Sequence, residues 1–308
     1  MTTNSIFEET WWLDAVATNQ WNAVEIKRDG AVVARLPYVI KKQMGLTIFT
    51  MPRLTPSLGP WLRESTANYS KQLAQQKDLY TALIAQLPTH DFFCLNFHHS
   101  MTNWQPFYWQ GFSQTTCYSY VIENLQDLDL VWNGFQPNIR QEIRKASKQV
   151  VVRTDLDLDR FLDINSLTFD RQGKKLPYSR ELVQRLDHAC VEHKSRQIFF
   201  AEDAQGQIHA AIYLIWDRHS AYYLMGGGDP QLRTSGATSL LMWEAIKFAA
   251  TVTQKFDFEG SMIEPIERFV RSFGGCQIPY FKVRKNSPRM QVLLSAREIA
   301  RSIAGVQP

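Results

Sequence analysis

FDFEGSMIEPIERFVRSFGGCQIPY, from Phe256 to Tyr280, is the stretch on which the fold reading turns. The alternation Phe256-Asp257-Phe258-Glu259 predicts a strand, with both acids on one face and both aromatics on the other. Gly260-Ser261 breaks it. A short amphipathic helix follows, stopped at Gly274-Gly275, and a further apolar strand starts near Ile278.

An earlier stretch has the same layout. Setting Ser100-Met101 against Ser261-Met262 aligns LNFHHSM (95–101) with FDFEGSM (256–262) without a gap. Asn96 then meets Asp257, Phe97 meets Phe258, His98 meets Glu259, Tyr108 meets Phe269 and Phe112 meets Phe273. Upstream, GAVVARL (30–36) resembles GQIHAAI (206–212). Each half therefore reads as a strand meander, a helix, a strand, a short helix and a strand. In the first half the meander covers 22–27, 31–40 and 46–51, and the helix 68–87 is stopped by Pro88. In the second half the strands are 198–202, 208–216 and 221–225, closed by Gly226 to Gly228, with a helix over 235–250. A helix from Pro137 to Gln149 lies between the halves. The expected division is 1–148 and 149–308.

The 308 residues suit two domains of roughly 150 each. A 44% apolar and 21% charged composition is that of a folded globular chain and excludes extended disorder. The net charge of +4 is too mild to mark a nucleic-acid binder by its total. Cys94, Cys117, Cys190 and Cys276 lack CxxC spacing, so neither a zinc site nor a disulfide framework is indicated. His188, Cys190 and His193 fall at spacings that do not converge on one metal, and no metal is expected. No basic-then-apolar leader is visible at MTTNSIFEETWW, and polar residues interrupt the uncharged run 92–122, so a cytoplasmic protein without a spanning helix is expected. The tail 290–303 sets Val292, Leu293, Ala296, Ile299, Ala300 and Ile303 against Arg297 and Arg301. It is expected to pack across onto the first domain, with contact at the inner membrane surface as the alternative.

Three blocks carry a family resemblance: NIRQEIRKASK (138–148), TFDRQGKKLP (168–177), and LLMWEAIKFA (240–249) leading into the opening stretch. With the duplicated element order, they resemble the FemAB-like transferases of the GNAT acyltransferase superfamily. The resemblance spans nearly the whole chain. It implies an α/β (α+β) fold of two tandem GNAT-like domains, each a mixed, largely antiparallel sheet flanked by helices. It also implies N-acyl transfer to an amino group of a nucleotide- or lipid-linked cell-envelope precursor, in peptidoglycan or surface polysaccharide. The first domain would bind the acceptor and the second would be the acyl-transfer scaffold. The co-substrate would be acyl-CoA or aminoacyl-tRNA, with no tightly bound cofactor. A peptidyltransferase using charged tRNA, and a GNAT-like module that only binds, are the alternative readings.

Acyl transfer to an amine needs a proton acceptor beside an activated acyl carbon. Glu259, at the strand end, is the candidate base, with Asp257 beside it. Arg271 stands near the position where Fem enzymes have a lysine. Arg140, Arg144 and Lys148 share one helix face and, with Arg171, Gln172 and Lys174, could hold a diphosphate. His98 and His99 are candidates for acceptor phosphate. Arg233, Thr234, Ser235 and Gly236 resemble the Arg-x-x-Gly loop with which acyl-CoA GNAT enzymes bind pyrophosphate at a helix start, although Thr238 replaces the final Gly/Ala. Each set also has a plain structural reading as capped turns, solvated faces or core.

Overall fold

The computed structural model describes residues 3–171 and 173–303. The chain divides into two compact units, Met1–Thr116 with Tyr280–Pro308, and Cys117–Pro279. In chain order the first unit contributes α1 (Thr10–Val16), β1 (Trp21–Arg28), β2 (Ala31–Gln43), β3 (Leu46–Thr50), the two-residue β4 (Trp61–Leu62), α2 (Tyr69–Ala85), β5 (Phe92–Asn96) and α3 (Gln105–Trp109). Strand β6 (Ser113–Ile122) then enters the second unit, which holds α4 (Leu128–Gly134), α5 (Pro137–Ala146), β7 (Val150–Arg153), α6 (Leu158–Arg171), α7 (Arg180–Glu192), β8 (Arg196–Asp203), β9 (Ile208–Trp216), β10 (Ser220–Gly228), α8 (Ala237–Val252), β11 (Lys255–Asp257) and α9 (Glu264–Arg271). Strand β12 (Cys276–Asn286) and α10 (Pro288–Ile303) complete the chain.

Each unit builds the same sheet. In the first, β1, β2 and β3 form an antiparallel meander, β3 pairs with β5 in parallel (Ile48 opposite Phe92), and β12 closes the sheet antiparallel to β5 (Lys282 opposite Asn96). In the second, β8, β9 and β10 form the meander and β7 extends it on the β8 side. Strand β11 pairs with β10 in parallel (Ser220 opposite Lys255), and β6 closes antiparallel to β11 (Asp257 opposite Val121). The sequence alignment holds at the level of individual bonds. The Phe97 N–H donates to the Phe281 carbonyl at 2.8 Å, and its counterpart Phe258 donates to Tyr120 at 3.0 Å. The hairpin glycines also correspond, with φ of 76° at Gly30 and 77° at Gly206.

The expected boundary near residue 148 does not coincide with this division. The strand that follows α3 pairs in the second unit and the strand that follows α9 pairs in the first, so each unit is closed by the other repeat's last strand. Helix α5 sits with the second unit, because Ile139, Ile143 and Ala146 are buried in one core with Ala237, Leu240 and Leu241 of α8. A helix with that apolar stripe is held by the surface it covers. Gly226 to Gly228 end the second meander as the last three residues of its strand β10. A Cβ on Gly227 would stand 2.5 Å from Asn165 Cα, so the glycine allows α6 to lie against the strand.

Local chemistry sets the element ends. Asn68 caps α2, its side chain accepting from Lys71 N at 3.1 Å. Asp127 caps α4 through Leu130 N, and Ser179 caps α7 through Leu182 N. In the aromatic run 104–112, Phe107 and Phe112 enter the first unit's core, where Phe107 meets Phe97 at 4.9 Å between ring centroids and Phe112 meets Phe93 at 5.1 Å. Tyr108 and Trp109 are exposed. Burying each such Phe side chain is worth about 1.5–3 kcal/mol. The described tail side chains beyond Met290, residues 291–296, are exposed, and the side chains of 297–303 lie outside the description. Among the described residues no helix is long and apolar enough to cross a membrane.

Glu8 is fully buried in the first unit, where its carboxylate accepts from Asn4 N at 2.8 Å and from Gly59 N at 3.3 Å. Burial raises its pKa from 4.5 to about 7, against the opposing effect of these hydrogen bonds and of Arg35. Because the folded state holds the proton more tightly, stability falls as pH rises from the unfolded pKa through the folded one. The first unit should therefore lose about 2–3 kcal/mol between pH 5 and pH 9 through this group. Denaturant titrations across that range should show a shallower fall for Glu8→Gln, and parallel slopes for the two proteins would refute this account.

Candidate functional site

The site is built where β11 parts from β10. The two strands pair only over Ser220–Tyr222 and Lys255–Asp257. Beyond that, the chain after β11 stays with β6: Phe258 bonds to Tyr120, and a Cβ on Gly260 would lie 2.2 Å from the Tyr118 carbonyl. Strand β10 continues to Gly228, paired only with β9.

At this divergence the expected strand 256–259 ends early. It stops at Asp257, and Glu259 and Gly260 are both left-handed, with φ of 60° and 50°. The conformation is costly for a residue with a Cβ. It is stabilised locally: Asp257 Oδ1 accepts from Glu259 N at 2.8 Å and from Ser119 Oγ at 2.5 Å. The period-two placement of both acids on one strand face is thereby corrected. Asp257 acts as the anchor of a turn that aims Glu259.

The electrostatics follow from burial. Asp257 is buried, which raises its pKa from 3.8 to about 6 despite the Ser119 and Glu259 hydrogen bonds. The Glu259 residue is only partly buried by area, but its Oε1 is out of solvent and has no hydrogen-bond partner among the described residues. Desolvation, and after it the Asp257 charge, push its carboxyl well above the ordinary range. Tyr222 is buried nearby, its hydroxyl donating to Asp217 Oδ2 at 3.0 Å, and its phenol is raised by burial and by the Asp217, Asp257 and Glu259 charges. A buried carboxyl with an unused oxygen and a raised proton affinity can accept a proton from a substrate that reaches it.

The other candidates fall into place around this pair or away from it. Arg271 is engaged within α9, its Nε donating to Glu267 Oε1 at 2.8 Å. The same oxygen accepts from Tyr120 OH at 2.5 Å, and Gln277 donates to that hydroxyl at 2.7 Å. Arg268 likewise pairs with Glu264, so these arginines serve their own helix rather than the two buried acids. On α5, Arg140 donates to the Asn133 carbonyl at 3.1 Å, Arg144 lies 5.8 Å over the Trp132 ring, and Lys148 is exposed. Arg171 and Lys174 are exposed at the end of α6, and Gln172 lies outside the described residues. His98 and His99 are in the first unit, with ring centroids 4.1 Å apart and His98 Nδ1 2.8 Å from Ser100 Oγ. Arg233–Ser235 form a 3-10 turn, and Gly236 is left-handed at the start of α8. Among the described residues no group of three or more His, Cys, Asp or Glu could hold a metal.

In the first unit the counterpart of this divergence is filled. Leu58 N bonds to the Asn96 carbonyl at 2.8 Å, the Asn96 side chain donates to Pro56 O at 3.1 Å, and Gly59 lies against Phe97. The proline-rich segment 52–60 thus bonds to the end of β5, whereas in the second unit side chains of α6 bond to β10. Sequence reasoning missed Ser119 and the α6 residues Asn165 and Thr168, which bond to β10. Ser119 had no signal, because its partner lies 138 residues away.

Comparison with known proteins agrees with this architecture. Residues 134–261 match the model of an acetyltransferase (GNAT) domain. FemX superposes with a TM-score of 0.65 at 14% identity, covering 90% of this chain and 91% of its own. The C-terminal domain (DUF2156) of a lysylphosphatidylglycerol synthetase from Agrobacterium fabrum gives 0.56 at 10% identity over 91% and 89%. A tandem GNAT protein from the clavulanic acid biosynthesis pathway gives 0.51 at 9% identity over 90% and 94%. No curated protein matches. Residues 134–261 are therefore similar to an acetyltransferase (GNAT) domain, within a chain that has the fold of FemX and of a tandem GNAT protein.

Proposed function

We propose that this chain is an N-acyltransferase that moves an acyl or aminoacyl group onto an amino group of a nucleotide- or lipid-linked cell-envelope precursor. The observation that carries the reading is the Glu259 Oε1, out of solvent and without a hydrogen-bond partner among the described residues, at the divergence of β10 and β11. The amine nitrogen attacks the acyl carbonyl carbon and Glu259 takes the nitrogen's proton. The new C–N bond replaces the bond to the leaving group, which departs carrying a proton. Asp257 and Ser119 act through Glu259 as positioning residues. Arg144 and Lys148, with Arg140, Arg171 and Lys174, are the side chains assigned to the acceptor's phosphates, since guanidinium and ammonium groups recognise them. Similarity to a lysylphosphatidylglycerol synthetase, named for an aminoacylated lipid, supports a lipid-linked acceptor.

Purified protein would be incubated with acyl-CoA pools, charged tRNA and other acyl esters, together with amino-sugar nucleotides and lipid-linked amines. Mass spectrometry of the acceptor should show a mass gain corresponding to a new amide. Acceptor binding without an amide from any donor would defeat the transferase reading and leave a binding module.

A further inference from the structure

Two internal contacts stand in the way of a donor that carries a nucleotide diphosphate. A diphosphate binds at a helix start through free backbone N–H groups, and an extended, amide-bearing arm bonds to an open strand edge. Here Glu142 lies against the helix start and α6 bonds to the strand edge.

At the start of α8, the Glu142 carboxylate of α5 accepts from Ser239 Oγ at 2.6 Å, two residues into the helix. A carboxylate there offsets part of the positive end of the helix dipole and repels a second anion. Gly236 is closed off by backbone as well as by charge: a Cβ on it would lie 2.7 Å from the Glu142 carbonyl oxygen. Lys145, three residues after Glu142, donates to the Thr234 carbonyl at 2.8 Å, and Ser235 and Ala237 are buried. Helix α5 is fixed in this position by Ile139, Ile143 and Ala146 in the core.

The edge of β10 is also engaged. The Gly226 carbonyl accepts from Asn165 Nδ2 at 2.8 Å, and the Gly228 N–H donates to Thr168 Oγ1 at 3.1 Å. Asn165 is itself buried and accepts from Tyr178 OH at 2.9 Å. An arm laid along this edge would have to break bonds to α6 that are already made, leaving buried polar groups unpaired.

We infer that Glu142 is a specificity-determining residue which, with the α5 backbone, excludes donors carrying a nucleotide diphosphate, so that the acyl group arrives on a carrier without one. This rests on the transferase reading for its purpose but not for its test.

Calorimetric and thermal-shift titrations of the full chain with CoA, acetyl-CoA and inorganic pyrophosphate provide that test. The expected result at about 1 mM ligand is no saturable heat and a shift below about 1 °C, whereas a ligand at about 100 times its Kd would raise the midpoint by several degrees. Backbone hydrogen exchange at Ala237–Ser239 should be unchanged by CoA. A saturable CoA isotherm weakened by Arg233→Ala, or acetyl transfer from acetyl-CoA, would overturn the inference and leave N-acyl transfer standing. A protein that binds no CoA and forms no amide from any donor would uphold the inference while removing the transferase reading.

Discussion

Glu259→Gln should lower kcat by about 10²–10⁴-fold, the usual contribution of a general base, with acceptor affinity changed far less. Gln keeps the size of the side chain and can keep the left-handed backbone, because the bond holding that backbone runs from Glu259 N to Asp257 Oδ1. Only the capacity to take a proton is lost. The pH profile supplies a second readout. Burial and the Asp257 charge raise the Glu259 pKa, and a base works only when ionised. The wild-type rate should therefore climb with pH along a limb displaced above the ordinary glutamate range. Asp257 titrates at about 6. Removing its charge with Asp257→Asn should move the limb to lower pH, while Ser119 keeps a partner at that position. Unchanged turnover in Glu259→Gln would exclude Glu259 as the base, and a limb that stays put in Asp257→Asn would exclude the Asp257 charge as a cause of its raised pKa.

Gly260→Ala should destabilise the second unit by about 2–5 kcal/mol and abolish measurable turnover. The left-handed conformation costs about 1–2 kcal/mol for a residue with a Cβ, and forcing an atom into packed structure adds about 1–3 kcal/mol. That methyl would stand 2.2 Å from the Tyr118 carbonyl and 2.5 Å from Ser119 Cα, both backbone of β6. The strand cannot yield without disturbing Asp257 and Glu259. Gly206→Ala is the control: it is also left-handed, but a Cβ there meets nothing within 4 Å, so it should show only the conformational cost and normal turnover. Equal midpoints for the two variants, measured by thermal or denaturant unfolding, would mean that contact with β6 does not hold the site.

Much of the fold is written locally. The match of LNFHHSM with FDFEGSM places Asn96 and Asp257 each at the last residue of a strand, and Phe97 and Phe258 each in a core. Such equivalences survive because strand alternation, turn glycines and apolar stripes are properties of neighbouring residues. The site is legible only in part. Asp257 and Glu259 stand out as acids in an apolar strand, but their alternation suggests a shared face. The Asp257 turn cancels that expectation by making Glu259 left-handed. On α5 the sequence displays Arg140, Arg144 and Lys148, whereas Glu142, between them, faces the start of α8. Nothing in its neighbours marks it, because its partner Ser239 is 97 residues away.

The sequence by itself determined the duplication, the order of elements in each half and the two acids at the end of one strand, because periodicity and turn chemistry act over a few residues. The tertiary structure alone decided three things: that each unit is closed by the other repeat's last strand, that segment 52–60 bonds to the end of β5, and that α5 lies against the start of α8. In each case the deciding contact joins residues far apart in the chain, and which partner a strand edge or a helix start finds is settled by the burial of the whole unit.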